Sequence, residues 1–215
     1  MRRRQLTAVL FDFDGTLAPN LDLPDMRRQV IALTRDAGVP DGVFRDQYIV
    51  EIITAAHGWL KTSDERQADA YARTAHELIT RIELEAAQAT RPLPGVPRYL
   101  RALKARDLKL GIVTRNCRAA VLTIYPEVLD DVHTLRARDD VTHLKPDPRH
   151  LFAALDDLDC TPEESAMVGD GVLDIRCGLE GGLYTVGVET GSSDGQALRR
   201  AGAHEIQAHC LLFEP

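Results

Sequence analysis

The chain has 215 residues, with 26 Lys and Arg against 33 Asp and Glu and a formal charge of −7. Its length suits one ordinary domain or one domain with a smaller insert, and a 44% apolar share beside 27% charged residues excludes global disorder. The acidic balance argues against nucleic acid as the main partner, whereas a small anionic substrate in a locally positive pocket is allowed.

In chain order, the basic start Arg2-Arg3-Arg4 precedes the apolar stretch Ala8–Phe11, which is too short for a signal-peptide core and runs into Asp12. No apolar run approaches the roughly 20 residues that cross a bilayer, so no membrane partner is expected. The runs at 6–11 (LTAVLF), 108–114 (LKLGIVT), 166–168 (AMV) and 183–188 (LYTVGV) predict buried strands of a parallel sheet. Helical patterns fall at 96–105, 148–158 and 172–180, and Thr161-Pro162-Glu163-Glu164 predicts a helix start of only a turn or so. This alternation predicts an α/β fold with a doubly wound sheet.

Residues 21–90 break the rhythm. Met26, Val30, Leu33 and Ala37 keep helical spacing, residues 43–57 continue it, and Thr62-Ser63-Asp64-Glu65 suggests a second capping box. Ala68, Ala72, Ala75, Ile79, Ile82 and Ala86 then mark a long helical stripe. No strand-like run occurs there, so the reading is an all-helical insert at 19–90 in a core formed by 1–18 and 91–215. Pro19-Asn20 and residues 91–95 are the hinge candidates. The cysteines Cys117, Cys160, Cys177 and Cys210 include no C-x-x-C pair, which fits reduced thiols in a cytoplasmic protein.

Chemistry concentrates at strand ends. Asp12-Phe13-Asp14-Gly15-Thr16 follows the first strand, placing two carboxylates at the crevice where α/β proteins bind ligands, with Gly15 allowing a close approach to an anion. A D-x-D-G-T string has roughly a one in a thousand chance in a chain this long. Thr114 closes the second strand, Lys145 precedes a helix, and Gly169-Asp170-Gly171-Val172-Leu173-Asp174 follows the third. Each is weak alone. Together they supply a nucleophile, a proton donor, a phosphate-binding hydroxyl, a neutralising ammonium and metal-holding acids.

In the order of these four motifs, over nearly its full length, the chain resembles the haloacid dehalogenase-like phosphohydrolases, and the insert resembles the family's C1-type cap. The resemblance implies a Rossmannoid core and magnesium-dependent hydrolysis of a small phosphorylated metabolite. It makes Asp12 the nucleophile and Asp14 the general acid and base. Magnesium would be held by the Asp12 carboxylate, the Asp14 backbone carbonyl and Asp170, with Asp174 behind them orienting water or Lys145. Thr114 and Lys145 would hold the phosphoryl group, aided by Gly15 and Asn116, while Arg115 would add a second cation at the phosphate or reach for a substrate carboxylate. Dehalogenases and phosphonatases lack the acid at Asp14, and Lys61, the insert's single lysine, reads as a solvated charge rather than a Schiff base.

The sequence departs from the family where Arg115 intervenes between Thr114 and Asn116, where Ala18-Pro19-Asn20 replaces the Val-Asp-Ser of phosphoglycolate phosphatases, and at Gly171, where Ser or Thr is frequent. A phosphomutase of the β-phosphoglucomutase type is the enzymatic alternative. A phospho-acceptor module of the response-regulator kind and a binding protein that has lost catalysis are the others. His57, His76, His143 and His150 show no metal-ligand spacing and read as surface or capping residues, while Trp59 and Tyr71 read as packing between helices of the insert.

Overall fold

A computed structural model describes residues 6–215; Arg2-Arg3-Arg4 lies outside the described residues. Six strands form one sheet: β1 (Ala8–Phe11), β2 (Lys109–Val113), β3 (Thr134–Arg136), β4 (Ser165–Gly169), β5 (Tyr184–Val188) and β6 (Glu205–Gln207). Every neighbouring pair is parallel, in the order β3-β2-β1-β4-β5-β6. The expected doubly wound sheet is present. Its two edge strands, Thr-Leu-Arg and Glu-Ile-Gln, escape sequence reading because three residues of mixed polarity carry no periodic signal.

β1 is central and buried at every position, pairing Phe11 with Ile112 of β2 on one side and Val168 of β4 on the other. The chain runs outward from β1 through β2 to β3, then crosses back to β4. That reversal opens the crevice beyond the carboxyl ends of β1 and β4.

The insert folds as α1 (Leu23–Asp36), α2 (Asp41–Phe44), α3 (Ile49–Lys61) and α4 (Glu65–Ala89). Contacts group 22–86 as one compact unit and place 19–21 and 87–90 with the core unit, inside the boundaries that the prolines suggest. The Leu93 N–H donates to the Leu17 C=O at 2.8 Å, tying the two passing segments together on the core side. Four details differ from the sequence reading. Residues 43–57 are interrupted between α2 and α3, where Asp46 takes a left-handed φ of 61°. Asp64, not Thr62, caps α4: its carboxylate accepts from the N–H groups of Arg66 and Gln67 at 2.9 and 3.1 Å, the stronger acceptor for a positive helix end. The buried stripe of α4 runs through Ala68, Tyr71, Ala75 and Ile79, with the Tyr71 hydroxyl 2.7 Å from that of Thr34 in α1. Trp59 is 39% exposed rather than packed, and Lys61 is exposed and paired with Glu65. No helix among the described residues is long and apolar enough to cross a membrane.

The crossovers of the core are α5 (Val96–Lys104), α6 (Arg118–Ile124), α7 (Val128–Asp131), α8 (Arg149–Leu158), α9 (Val172–Glu180) and α10 (Gly195–Ala201). Between β3 and β4, α8 buries Leu151, Ala154, Leu155 and Leu158 in one cluster with Leu10, Val113 and Met167. Each of the leucines removed from water contributes about 1.5–3 kcal/mol. Pro162–Glu164 forms the single turn expected, although the Thr161 side chain does not cap it.

Helix α9, which carries Asp174, lies close against β4 and β5 because Gly178 faces the sheet. A Cβ there would come within 2.6 Å of Thr185 Cγ2 and 3.1 Å of Met167 Cβ. Thr185 is stiff at χ1, so the helix rather than the side chain would have to move. Gly178→Ala should therefore destabilise the fold by about 1–3 kcal/mol in urea unfolding, although alanine is the better helix former. An alanine variant as stable as wild type would show that the helix does not press on the sheet here.

Candidate active site

The sheet delivers the first acids directly. After β1 the Asp12 N–H still pairs with the Val168 C=O at 2.8 Å, then the chain turns as Thr16, Leu17 and Ala18 donate to the Phe13 carbonyl. The turn needs Gly15, whose φ is +80° and whose Cβ would sit 2.7 Å from the Asp170 carboxylate. The Gly15 N–H donates to Ala18 C=O at 2.8 Å, so it is not a donor awaiting an anion. Gly15 thus supplies room beside Asp170.

Lys145 is the centre of charge. Its Nζ lies 2.7 Å from Asp12 Oδ1 and 2.7 Å from Asp174 Oδ1, and the residue is 2% exposed. Carboxylate oxygens of Asp12, Asp170 and Asp174 all lie within 4.8 Å of one another. Burial, with the Asp170 charge adding, raises Asp12 to about 6 against the opposing pull of Lys145. Burial and then Asp12 raise Asp174 to about 6, and burial and then Asp174 raise Asp170. Burial alone would lower Lys145, but Asp12 and Asp174 outweigh it and hold the ammonium above its ordinary range.

The remaining lone pairs are apportioned. Asp174 Oδ2 accepts from the Gly171 N–H at 3.0 Å, so both its oxygens have protein partners. Asp170 accepts from the Ser192 N–H at 2.5 Å and the Thr16 hydroxyl at 3.5 Å. The Asn116 amide donates to both oxygens of Asp14, at 3.0 and 3.2 Å, and the Thr114 hydroxyl approaches Asp14 at 3.4 Å. Arg115 turns its guanidinium to the Lys145 carbonyl. The structure thus gives Asn116 and Arg115 protein partners.

Three carboxylates with one ammonium leave the cluster short of positive charge. All its donors are hard oxygens, the set that magnesium prefers. With Asp174 committed to Lys145 and Gly171, the oxygens of Asp12 and Asp170 fit such an ion best. Asp12 is also the most open of the three, at 9% exposure against 3% for each of the others.

Sequence reading passed over several contributors. Thr16 stands inside the first motif and is fully buried against Asp170. Gly191 lies so close that a Cβ would fall 2.1 Å from Asp170 Oδ2; the turn-rich Thr190-Gly191-Ser192 after a strand was the available signal. His150, read as a surface or capping residue, is fully buried. Its Nδ1 accepts from the Lys145 N–H at 3.2 Å, and its Nε2 lies 3.1 Å from the Arg136 carbonyl, to which it donates.

Those two bonds require a neutral ring. Burial, reinforced by Lys145 and then Arg115 and opposed chiefly by the hydrogen bond to the Arg136 carbonyl, pushes His150 down to about 3. Above pH about 6.5, where the unfolded ring is also neutral, its contribution to stability is complete. As pH falls from about 6.5 towards 3, the unfolded state takes up a proton that the native state refuses, removing up to about 1.4 kcal/mol per pH unit. Asp12 and Asp174, whose folded values are raised, work in the opposite direction, so the comparison must be between proteins that share them. Urea unfolding of wild type should lose more stability between pH 6.5 and 4.5 than that of His150→Asn. Parallel curves would mean that the ring is not held neutral.

Comparison with known proteins agrees with this geometry. The family profile described as haloacid dehalogenase-like hydrolase matches residues 6–182. The chain is 32% identical to pyrophosphatase PpaX of Bacillus velezensis over 201 residues, covering 87% of this chain and 85% of that one. It is 29% identical to N-acetylmuramic acid 6-phosphate phosphatase of Pseudomonas aeruginosa over 201 residues, covering 89% and 85%. A crystal structure of β-phosphoglucomutase from Clostridium difficile superimposes with a TM-score of 0.69 at 16% identity, covering 97% of this chain and 93% of that one, which shows a shared fold. With the four motifs gathered at the carboxyl edge of the sheet, the chain belongs to the haloacid dehalogenase-like hydrolase family and is an enzyme of that family.

Proposed function

We propose that this enzyme is a magnesium-dependent phosphatase that hydrolyses a small phosphate monoester through Asp12. The observation that carries the reading is the Lys145 ammonium held 2.7 Å from both Asp12 and Asp174, with Asp170 in the same cluster. The most open carboxylate of the cluster thus stands beside a cation in a site that is otherwise acidic. The named phosphatase and pyrophosphatase relatives, whose substrates are small and phosphorylated, support phosphoryl transfer over dehalogenation.

In this reading Asp12 attacks phosphorus in line and forms an aspartyl-phosphate, while Asp14 protonates the departing oxygen. Asp14 then takes a proton from the water that attacks the aspartyl-phosphate, releasing inorganic phosphate and regenerating Asp12. Lys145 and the Thr114 hydroxyl hold the equatorial oxygens, where charge spreads as the bond breaks. The Asn116 amide keeps the Asp14 carboxylate oriented, and Asp174 keeps Lys145 in place. Magnesium held by Asp12, Asp170 and the Asp14 carbonyl would neutralise charge between nucleophile and phosphoryl group. The helical unit, in this proposal, is the cap that selects the leaving group.

Two experiments test it. Asp12→Asn keeps shape but removes the attacking charge, so kcat on the best phosphate ester should fall at least about a thousandfold, or roughly 4 kcal/mol, in a variant whose circular dichroism is unchanged. Retention of more than about a tenth of wild-type kcat would exclude covalent catalysis at Asp12. Activity should also disappear in excess EDTA and return with magnesium, whereas calcium should inhibit because its looser shell invites bidentate binding by the nucleophile. Full turnover in EDTA would remove the metal role of Asp170.

A further inference from the structure

The segment between β3 and α8 has no ladder to hold it, yet it must place the Lys145 ammonium against two carboxylates at once. Both backbone polar groups of a buried residue in such a segment need partners. The Lys145 N–H finds His150 Nδ1 at 3.2 Å, and its carbonyl receives the Arg115 guanidinium. The other ring nitrogen of His150 donates to the Arg136 carbonyl at 3.1 Å. That same carbonyl receives the Thr114 N–H at 3.1 Å. A carbonyl oxygen has two lone pairs, so both bonds can be made together.

We propose that His150 is a positioning residue of the active site. Its Nδ1 accepts from the Lys145 N–H and so fixes the backbone that carries the ammonium, while the Nε2 bond to the Arg136 carbonyl sets the tautomer that leaves Nδ1 an acceptor. The proposal rests on the functional reading above for the role of Lys145, but the geometric claim stands independently. A four-carbon side chain magnifies backbone error: a small shift of the Lys145 Cα moves the ammonium off one carboxylate. Rotamer adjustment within a fully buried site offers little correction.

The two bonds can be separated. In His150→Asn the Oδ1 stands where Nδ1 was and still accepts from Lys145, but the reach to Arg136 is lost. In His150→Gln the amide stands where Nε2 was and still meets Arg136, but the acceptor facing Lys145 is lost. Each variant forfeits one hydrogen bond, so urea unfolding should place both at similar, reduced stability. For p-nitrophenyl phosphate, His150→Asn should keep kcat/KM within about threefold of wild type, whereas His150→Gln should lose about tenfold or more. Crystal structures should show the Lys145 ammonium still bridging Asp12 and Asp174 in the Asn variant. In the Gln variant it should lie beyond about 3.5 Å from at least one of them. Equal activity losses in both variants, or an undisplaced ammonium in His150→Gln, would overturn the proposal. If His150→Gln does not fold, His150→Asn decides alone: a folded Asn variant reduced about tenfold or more overturns the proposal, and one within threefold upholds it. If wild type hydrolyses no phosphate ester, the functional reading falls, and the crystallographic comparison still decides the role of His150.

Discussion

The ammonium of Lys145, out of water and 2.7 Å from both Asp12 and Asp174, makes the rest of the site possible. Three carboxylates within 4.8 Å of one another cannot all stay ionised in a buried place without a counter-charge. One lysine supplies part of it; burial first, and then the neighbouring carboxylates, hold Asp12 and Asp174 up at about 6. Removing one member of a buried ion pair typically costs about 3–5 kcal/mol, because the partner stays behind without compensation. The same imbalance suits the site to a hard cation and to an anionic substrate. Structure and chemistry thus draw on one electrostatic arrangement.

That arrangement depends on the order of strands. Asp12 and Asp170 belong to adjacent strands of a parallel sheet, so both emerge at its carboxyl edge, where the strand order reverses. Asp174 arrives on the first turn of α9, and close seating of that helix over Gly178 sets how near it stands to Lys145. Around Asp170 the backbone is crowded to the point where Gly15 and Gly191 could not carry a Cβ without displacing it. The Ser192 N–H, arriving from the loop after β5, completes that enclosure. Packing constraints remote from the reacting atoms therefore determine carboxylate geometry.

The helical unit has a different physical character. Its helices hold together through a stripe of small and aliphatic side chains and a buried Thr34–Tyr71 hydroxyl pair. None of the clustered carboxylates, nor Lys145 or Thr114, belongs to it. The groups assigned to bond-making lie in one unit.

Much was legible in the chain alone. Short apolar runs ending in Asp, Thr or Gly specify buried parallel strands because burial on both faces leaves no alternation to blur them, and the helical insert shows itself by period and by the absence of strands. The acids of the first and last motifs are identifiable because their types and spacing are rare. Tertiary structure decided what depends on proximity between distant segments. Arg115 and Asn116 are adjacent in sequence, yet one turns to the Lys145 carbonyl and the other to Asp14, a difference set by the turn after β2. β3 and β6 exist because neighbouring strands recruit three-residue segments that have no pattern of their own. His150 looked like any solvent-facing histidine until the packing of α8 enclosed it between Lys145 and Arg136, because hydrogen-bond partners that lie far apart in the chain leave no trace in local sequence.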